Sequence, residues 1–172
     1  GGLAPLTGNV SVYGVATNNG IQMAVEAANA KGGVLDKKIK YIYYDEKGDA
    51  TEAVNAYNKL VQNDGIIGLV GDVTSVPCIA VAQESSKDGL PMITATGTAA
   101  AITTAGENVF RACFTDPYQG QVMAEYASKK LGAKTAAVLY NMADDYSSGV
   151  AEAFEKEAKA AGITVVEKQA YQ

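Results

Sequence analysis

Histidine and tryptophan are absent from the 172-residue sequence, and only two cysteines occur in it. Without histidine the chain lacks the commonest metal ligand and the commonest general base, which excludes a Ser-His-Asp or Cys-His catalytic arrangement within it. Cys78 and Cys113 lie in apolar surroundings outside any CxxC motif, which favours two buried free thiols, with a disulfide as the open alternative. We therefore expect no metal site, no cofactor and no enzymatic activity.

Long apolar runs and clustered positive charge are missing as well. No segment approaches the roughly 20 apolar residues of a membrane span, and no signal peptide is recognisable. The 14 Lys and Arg residues are outnumbered by 19 Asp and Glu residues and form no stripe that could neutralise a phosphate backbone, so nucleic acid is not an expected partner. Residues Gly1–Gly8 are predicted to be a strand end entering a loop, which suggests that a preceding segment has been removed.

Apolar stretches of two kinds alternate along the chain. Short runs without polar alternation predict strands, here Ile39–Tyr44, Ile66–Val70, Pro91–Thr94, Val109–Ala112, Thr135–Tyr140 and Ile163–Val166. Helical spacing between them predicts buried stripes at Ile21, Ala24, Val25 and Ala28; Ala53, Val54, Tyr57, Leu60 and Val61; Met123, Tyr126, Ala127 and Leu131; and Val150, Ala153, Phe154 and Ala158. This βα repetition predicts an α/β fold with a mainly parallel sheet and helices on both faces.

Two local signals mark boundaries. Asp49 and Glu52 have the spacing of a capping box at the start of a helix. The βα series starts afresh after Thr115–Pro117, so we predict a first lobe at 1–116 and part of a second lobe at 117–172. The second series supplies too few strands and helices for a complete parallel layer, which predicts that the chain is a piece of a longer two-lobed protein.

Polar residues follow several of the predicted strands, where ligands bind in open parallel sheets. These are Thr74–Ser75, Thr96–Thr98 and Asp144–Tyr146. Hydroxyls, backbone amides and a phenol can donate to a carboxylate and accept from an ammonium group, so they suit a zwitterion. Each also has a structural interpretation: Thr74 or Ser75 as an N-cap, Thr96–Thr98 as a turn, Asp144 and Asp145 as a solvated cap, and Tyr13 and Tyr146 as aromatics packed on their own loops.

A family resemblance bears on these alternatives. The chain resembles the leucine/isoleucine/valine-binding proteins among the type I periplasmic solute-binding proteins, through Pro5–Gly8, Val12–Gly14, Gly20–Ala24, Asn29–Gly33, Asp45–Asp49, Gly71–Ser75, Pro91–Thr94 and Arg111–Gly120. The resemblance implies a Venus-flytrap fold that closes two lobes on an amino acid, branched-chain in type, or a close analogue. It also implies an ABC importer's membrane permease as partner, and a location in the periplasm or outside the cell, with a lipid anchor left open.

The resemblance also assigns roles to residues. Carried over by position, Ser75 and Thr98 hydrogen-bond the ligand's α-carboxylate and α-amino group, with Thr74 and Thr96 beside them. Tyr13 and Tyr146 would approach the ligand from its two sides. Asp116 and Tyr118 are further candidates on the ammonium side.

Two other functions compete with this interpretation. A ligand-sensing receptor domain of the same fold, for an amide, urea or another small solute, is the alternative. A nucleotide-dependent enzyme is disfavoured, because the glycines of Gly65–Gly71 have the spacing GxxGxxG and lie within a predicted strand, unlike the GxGxxG of a dinucleotide-binding turn.

Overall fold

Strands and helices alternate along the whole chain, as the sequence predicts. The computed structural model describes residues 1–172. In chain order the elements are β1 (Gly2–Ala4), α1 (Ser11–Ala30), β2 (Tyr43–Asp45), α2 (Ala50–Gln62), β3 (Leu69–Val70), α3 (Ser75–Asp88), β4 (Met92–Thr94), α4 (Ala100–Thr104), β5 (Val109–Arg111), α5 (Asp116–Lys129), β6 (Thr135–Asn141), α6 (Asp145–Ala160) and β7 (Thr164–Tyr171). The chain divides into two units: Gly1–Gly97 with Ala101–Cys113, and Thr98–Ala100 with Phe114–Gln172.

Five parallel strands in the order β2-β1-β3-β4-β5 form the sheet of the first unit. Because the strands run in one direction, their carboxyl ends meet at a single edge, which is where such sheets bind ligands. The helices α2 and α3 pack against each other and against the sheet, and α1 contacts β1. Residues at most 2 % exposed form the core: Leu3, Tyr57, Leu60, Leu69, Val81, Met92 and Ile102. The predicted parallel α/β architecture is confirmed.

The strands around β1 are shorter than predicted. β1 has only three residues, and it pairs Gly2 with Tyr43 and Ala4 with Asp45. The Ile42 carbonyl oxygen still accepts from the Gly2 amide at 2.8 Å, but Ile39–Tyr41 of the predicted strand lie outside the ladder. The β4–β5 side of the sheet is exposed on one face. Ile93 is 38 % exposed on β4 and Phe110 is 54 % exposed on β5, although the residues on either side of Ile93 are buried.

The predicted buried stripes of α1 and α2 have different outcomes. In α2 the stripe is confirmed, because Ala53, Tyr57 and Leu60 are fully buried. In α1 the buried residues are Gly14 and Asn18, and Ala24 from the predicted stripe is exposed. The helix is closest to the sheet at its start, where a Cβ on Gly14 would lie 2.0 Å from the carbonyl oxygen of Pro5.

Asp49 caps α2, and half of the predicted capping box is confirmed. Its carboxylate accepts hydrogen bonds from the amides of Thr51 and Glu52, at 2.8 and 2.9 Å. The reciprocal half is wrong: the Asp49 amide donates to the carbonyl oxygen of Glu46 at 3.0 Å. The Glu52 carboxylate lies instead 3.8 Å from the Lys47 ammonium group.

The second unit contains the parallel pair β6 and β7, with α5 and α6 packed against each other. The predicted inward face of α5 is wrong for Met123 and Tyr126, which are 46 and 57 % exposed, and for Leu131, which is 67 % exposed and lies beyond the helix end. The fourth predicted residue, Ala127, packs partly buried against the core of this unit. The buried residues of α5 are instead Asp116, Gly120 and Ala124. Small residues are buried there because the two helices approach closely. A Cβ on Gly120 would lie 2.5 Å from the Cβ of Ala153.

The small-residue face of α5 meets a partly apolar face of α6. Ala158 is fully buried, and Ala124 and Ile163 complete this cluster of buried residues. Phe154 and Val165 pack against the cluster from its margin and are only partly buried. The predicted buried stripe of α6 is therefore confirmed at Ala158, whereas Phe154 is half-buried.

Two smaller expectations concern the thiols and membrane spans. Neither cysteine forms a disulfide, as predicted. Cys78 is buried as expected, whereas Cys113, which was also expected to be buried, is half-buried. No helix in the structure combines the length and the apolar character that crossing a bilayer requires.

Replacing Asp49 with Ala tests the cap of α2. We expect Asp49→Ala to lower the free energy of unfolding by about 1 kcal/mol, because two amides at the helix start lose their acceptor. Urea unfolding of the variant and of Asp49→Ser, which keeps a capping oxygen, measures the effect. Equal loss in both variants would contradict a capping role.

Replacing Gly120 with Ala tests the close contact of α5 with α6. We expect Gly120→Ala to destabilise the second unit by about 1–3 kcal/mol, since the new methyl group would overlap Ala153 and the backbone of Phe154. Gly20→Ala in α1 is the matched control, because nothing lies within 4 Å of a Cβ there. That change should stabilise by about 0.5–1 kcal/mol through helix propensity. A stabilising Gly120→Ala, measured by urea unfolding, would show that the helices separate at no cost.

Candidate ligand-binding site

The loop between β3 and α3, residues Gly71–Thr74, carries the first group of predicted site residues. Thr74 is the N-cap of α3, with extended backbone angles of φ −102° and ψ 156°, but its side chain makes no capping hydrogen bond. Ser75 is the first residue of the helix and is 4 % exposed. The cap interpretation of Thr74 therefore holds for its position and fails for its hydroxyl.

The start of α3 can bind an anion for two reasons. The first amides of a helix have no partner within the helix, and the helix dipole places partial positive charge there. The Thr74 hydroxyl does not cap this helix start. The donors located there are the amides of Ser75 and Val76 and the hydroxyls of Thr74 and Ser75, because Pro77 has no amide hydrogen. Carboxylates bind at such helix starts in many proteins.

The turn after β4 is hydrogen-bonded to the same loop. The Thr96 hydroxyl donates to the carbonyl oxygen of Val73 at 2.8 Å. The Thr94 hydroxyl donates to the carbonyl oxygen of Asp72 at 2.7 Å and accepts from the Gly97 amide at 2.9 Å. Two hydrogen bonds to the loop, and one within the turn itself, therefore place Thr96 beside the loop that ends in Thr74. The Thr96 side chain is used in this contact, so its backbone groups remain the ones to consider for a ligand.

Glycine is required at position 97. A Cβ on Gly97 would lie 2.7 Å from Ile102 Cδ1 and 2.8 Å from Cys78 Sγ. The Gly97 carbonyl oxygen accepts a hydrogen bond from Arg111 Nη1 at 3.1 Å. The turn is therefore closely packed on both sides, which fixes the position of the neighbouring Thr96.

Two acidic residues that the sequence analysis did not assign to the site are buried at this edge. Glu46 directly follows β2 and Asp72 lies in the β3–α3 loop, and both are 0 % exposed. Burial raises the pKa of Glu46 to about 7. Burial, and then the neighbouring charge of Glu46, raise the pKa of Asp72 well above its ordinary value. Asp72 lies two residues after β3 and two residues before Thr74, so its position at a strand end is the sequence signal that could have pointed to it.

Tyr13 belongs to the same unit. It lies in the first turn of α1, the helix that follows β1, and its side chain is 62 % exposed. An exposed phenol on a helix start is available to a ligand, and this structure assigns Tyr13 no further role.

The second unit contains the other predicted site residues. The Thr98 carbonyl oxygen accepts a hydrogen bond from the Asp116 amide at 3.1 Å. Asp116 is the first residue of α5 and is 2 % exposed. A Cβ on Gly149 would lie 2.9 Å from Asp116 Oδ2, so α6 contributes a glycine where the carboxyl group needs space. Thr98 and Asp116 are thus brought together at the start of α5.

Tyr146 contacts the same helix. It is 39 % exposed on α6, and its hydroxyl accepts a hydrogen bond from Gln119 Nε2 at 2.8 Å. Gln119 was not among the predicted residues, and it holds the phenol toward α5. Tyr118 is 57 % exposed on that helix. The Asp144 carboxylate caps α6 by accepting from the Ser147 amide at 3.1 Å, so its structural interpretation is the correct one.

The sequence matches a protein family along its full length. The family model described as periplasmic binding protein covers residues 1–172. A Leu/Ile/Val-binding protein, BraC3, of Rhizobium johnstonii is 41 % identical over 165 residues, which are 95 % of this chain and 44 % of the relative. A leucine-, isoleucine-, valine-, threonine- and alanine-binding protein of Pseudomonas aeruginosa is 35 % identical over 94 % of this chain and 43 % of the relative.

Solved structures agree with this match. The leucine-binding protein LivK of Thermotoga maritima superposes with a TM-score of 0.92 at 30 % identity, over 99 % of this chain and 48 % of that one. The branched-chain amino acid transporter substrate-binding protein LivJ of Streptococcus pneumoniae, solved in complex with isoleucine, gives 0.90 at 31 % identity, over 99 % and 48 %.

The chain thus spans a little less than half the length of these relatives. The resemblance inferred from its motifs is confirmed by a family match over every residue and by the superposition of its fold on leucine- and isoleucine-type binding proteins. This chain belongs to the periplasmic binding protein family.

Proposed function

We propose that the protein is the solute-binding component of an ABC importer and that it binds a branched-chain amino acid or a close analogue. The observation that carries the proposal is the group of donors at the start of α3, where the Thr74 side chain makes no capping hydrogen bond and Ser75 is buried. An amino acid presents a carboxylate that suits these donors. The names of the relatives support an aliphatic side chain.

The proposal assigns a role to each predicted residue. Ser75, with Thr74 and the backbone of Thr96, holds the α-carboxylate. Thr98 and Asp116, with Tyr118 beside them, receive the α-ammonium group, which a carboxylate and carbonyl oxygens suit. Tyr13 and Tyr146 contact the remaining sides of the ligand. In this proposal 1–116 and 117–172 belong to the two lobes of the native protein.

The proposed function is ligand binding without a catalytic step. A hydroxyl becomes a nucleophile only beside a base, and the chain has no histidine to serve Thr74, Ser75 or Thr98. We propose a location in the periplasm or outside the cell, as the family name suggests, and a membrane permease as the partner that receives the ligand-bound form.

A thermal-shift screen of the native protein against the twenty amino acids, small amides and urea tests the ligand class. We expect leucine, isoleucine or valine to raise the melting temperature selectively. A ligand at 100 times its Kd stabilises the native state by about 2.7 kcal/mol, which shifts the transition by several degrees. The Asp49→Ala variant is the control, because it should melt earlier and keep the full ligand-induced shift. A shift with an amide or urea alone would favour a receptor for those solutes, and no shift at all would contradict the proposal.

Replacing Thr98 with Ala tests the site in the second unit. We expect Thr98→Ala to weaken amino-acid binding by about 1–3 kcal/mol, because a charged group of the ligand loses a hydrogen bond in a buried setting. Thr104→Ala is the matched control, since the Thr104 hydroxyl is exposed and bonds only to the Ala101 carbonyl oxygen of its own helix. Titration calorimetry of both variants measures the difference. Equal affinities would remove Thr98 from the site.

A further inference from the structure

The two buried carboxyl groups at the carboxyl edge of the sheet lie within hydrogen-bonding reach of each other. Glu46 follows β2 and Asp72 follows β3, and β1 lies between these two strands in the sheet. The contact therefore joins two strand ends that no ladder hydrogen bond connects. Both side chains are completely buried.

Each carboxyl group of this pair has one oxygen without a protein donor. Glu46 Oε2 accepts from the Gly48 amide at 2.7 Å, and Asp72 Oδ1 accepts from the Val73 amide at 2.6 Å. Glu46 Oε1 and Asp72 Oδ2 are buried and accept from no donor. Two ionised carboxylates side by side in a dry site repel each other and lack hydration. A proton on one oxygen removes a charge and supplies an O–H donor to the other.

The titratable neighbours cannot replace that proton. The groups that act on the pair are Asp45, directly before Glu46, and the Cys78 thiol at the start of α3. An acidic side chain and a thiol bring no positive charge. Their surroundings raise the pKa of Glu46 to about 7 and that of Asp72 well above its ordinary value.

The pair is connected to the proposed ligand-binding residues of the first unit. Its Asp72 member supplies the carbonyl oxygen to which the Thr94 hydroxyl donates at 2.7 Å. The next residue, Val73, supplies the carbonyl oxygen to which the Thr96 hydroxyl donates at 2.8 Å. Thr74 follows directly. A change in the position of Asp72 would therefore move the β3–α3 loop and the turn after β4 together.

We propose that Glu46 and Asp72 share a proton, and that this contact positions the β3–α3 loop and the Thr96 turn for ligand binding. Glu46 and Asp72 are positioning residues in this inference, since they act through Thr74, Ser75 and Thr96. The shared proton is inferred from the buried pair alone, whereas its effect on ligand binding also rests on the proposed function.

The raised pKa values determine whether the stability of the folded state rises or falls with pH. In the unfolded chain both carboxyl groups ionise near pH 4, whereas the folded pair keeps its protons to higher pH. The folded state therefore binds more protons above about pH 4, and its stability falls as pH rises, through about 7 for Glu46 and further until Asp72 ionises. Each proton involved changes the folding equilibrium tenfold per pH unit.

Asp72→Asn replaces the shared proton with a permanent amide donor of nearly the same shape. Urea unfolding of the native protein without ligand, from about pH 5 to about pH 9, compares wild type, Asp72→Asn and Glu46→Gln. We expect the stability of both variants relative to wild type to rise with pH, by up to tenfold per unit in the folding constant. Glu52→Gln is the control, because Glu52 is exposed and its curve should run parallel to that of wild type. Parallel curves for all four proteins would overturn the shared proton.

Two further readouts test the positioning. In wild type, the NMR signals of the Val73 and Gly97 amides should shift together as the pair loses its last proton, and they should stay constant in Asp72→Asn. Calorimetry with isoleucine should show wild-type affinity falling by up to tenfold per pH unit in the same range, with flat affinity in Asp72→Asn. Amide signals or affinities that respond equally in both proteins would overturn the positioning role. Absence of isoleucine binding at every pH would count against the proposed function, and the unfolding and NMR series would still decide the inference.

Discussion

The hydroxyl group of Thr94 connects the parts of the first unit on which its carboxyl edge depends. It is fully buried, donates to the Asp72 carbonyl oxygen, accepts from the Gly97 amide and lies 3.4 Å from the Cys78 thiol. One donor and two acceptor positions are all that a hydroxyl has, so its capacity is used. Moving either connected loop alone would leave a buried polar group unpaired, at a cost of roughly 1–3 kcal/mol. The loop after β3 and the turn after β4 are therefore one structural unit.

The parallel α/β fold could be predicted from the sequence because its signals are periodic. In α2 the stripe of Ala53, Tyr57 and Leu60 follows the helical period and is buried as expected. In α5 the same reasoning predicted that the large apolar side chains are buried, whereas the buried residues include Gly120 and Ala124. Hydrophobic patterns assume that large residues fill a space between elements. They give no warning when two helices approach so closely that only small residues fit.

Only the site residues that directly follow strands could be predicted from the sequence. Thr74, Ser75 and Thr96 lie at the edge where the sequence placed them, because parallel strands must end together. Glu46 and Asp72 were missed as a pair, since carboxylates at strand ends are ordinarily hydrated. Their burial depends on loops that come together only in the folded chain, and the sequence places them 26 positions apart. The Gln119 contact with Tyr146 was missed for the same reason.

The close contact between α5 and α6 limits neutral drift by preventing any increase in side-chain size. Its interface is formed by Gly120 and Ala124 against small residues such as Ala153, so truncation has almost nothing to remove and can open no large cavity. Enlargement, by contrast, meets backbone as well as side chains. Substitutions accumulating here over time are thus confined to exchanges among the smallest residues. On the inward face of this helix, sequence variability should therefore be limited by side-chain volume rather than by polarity.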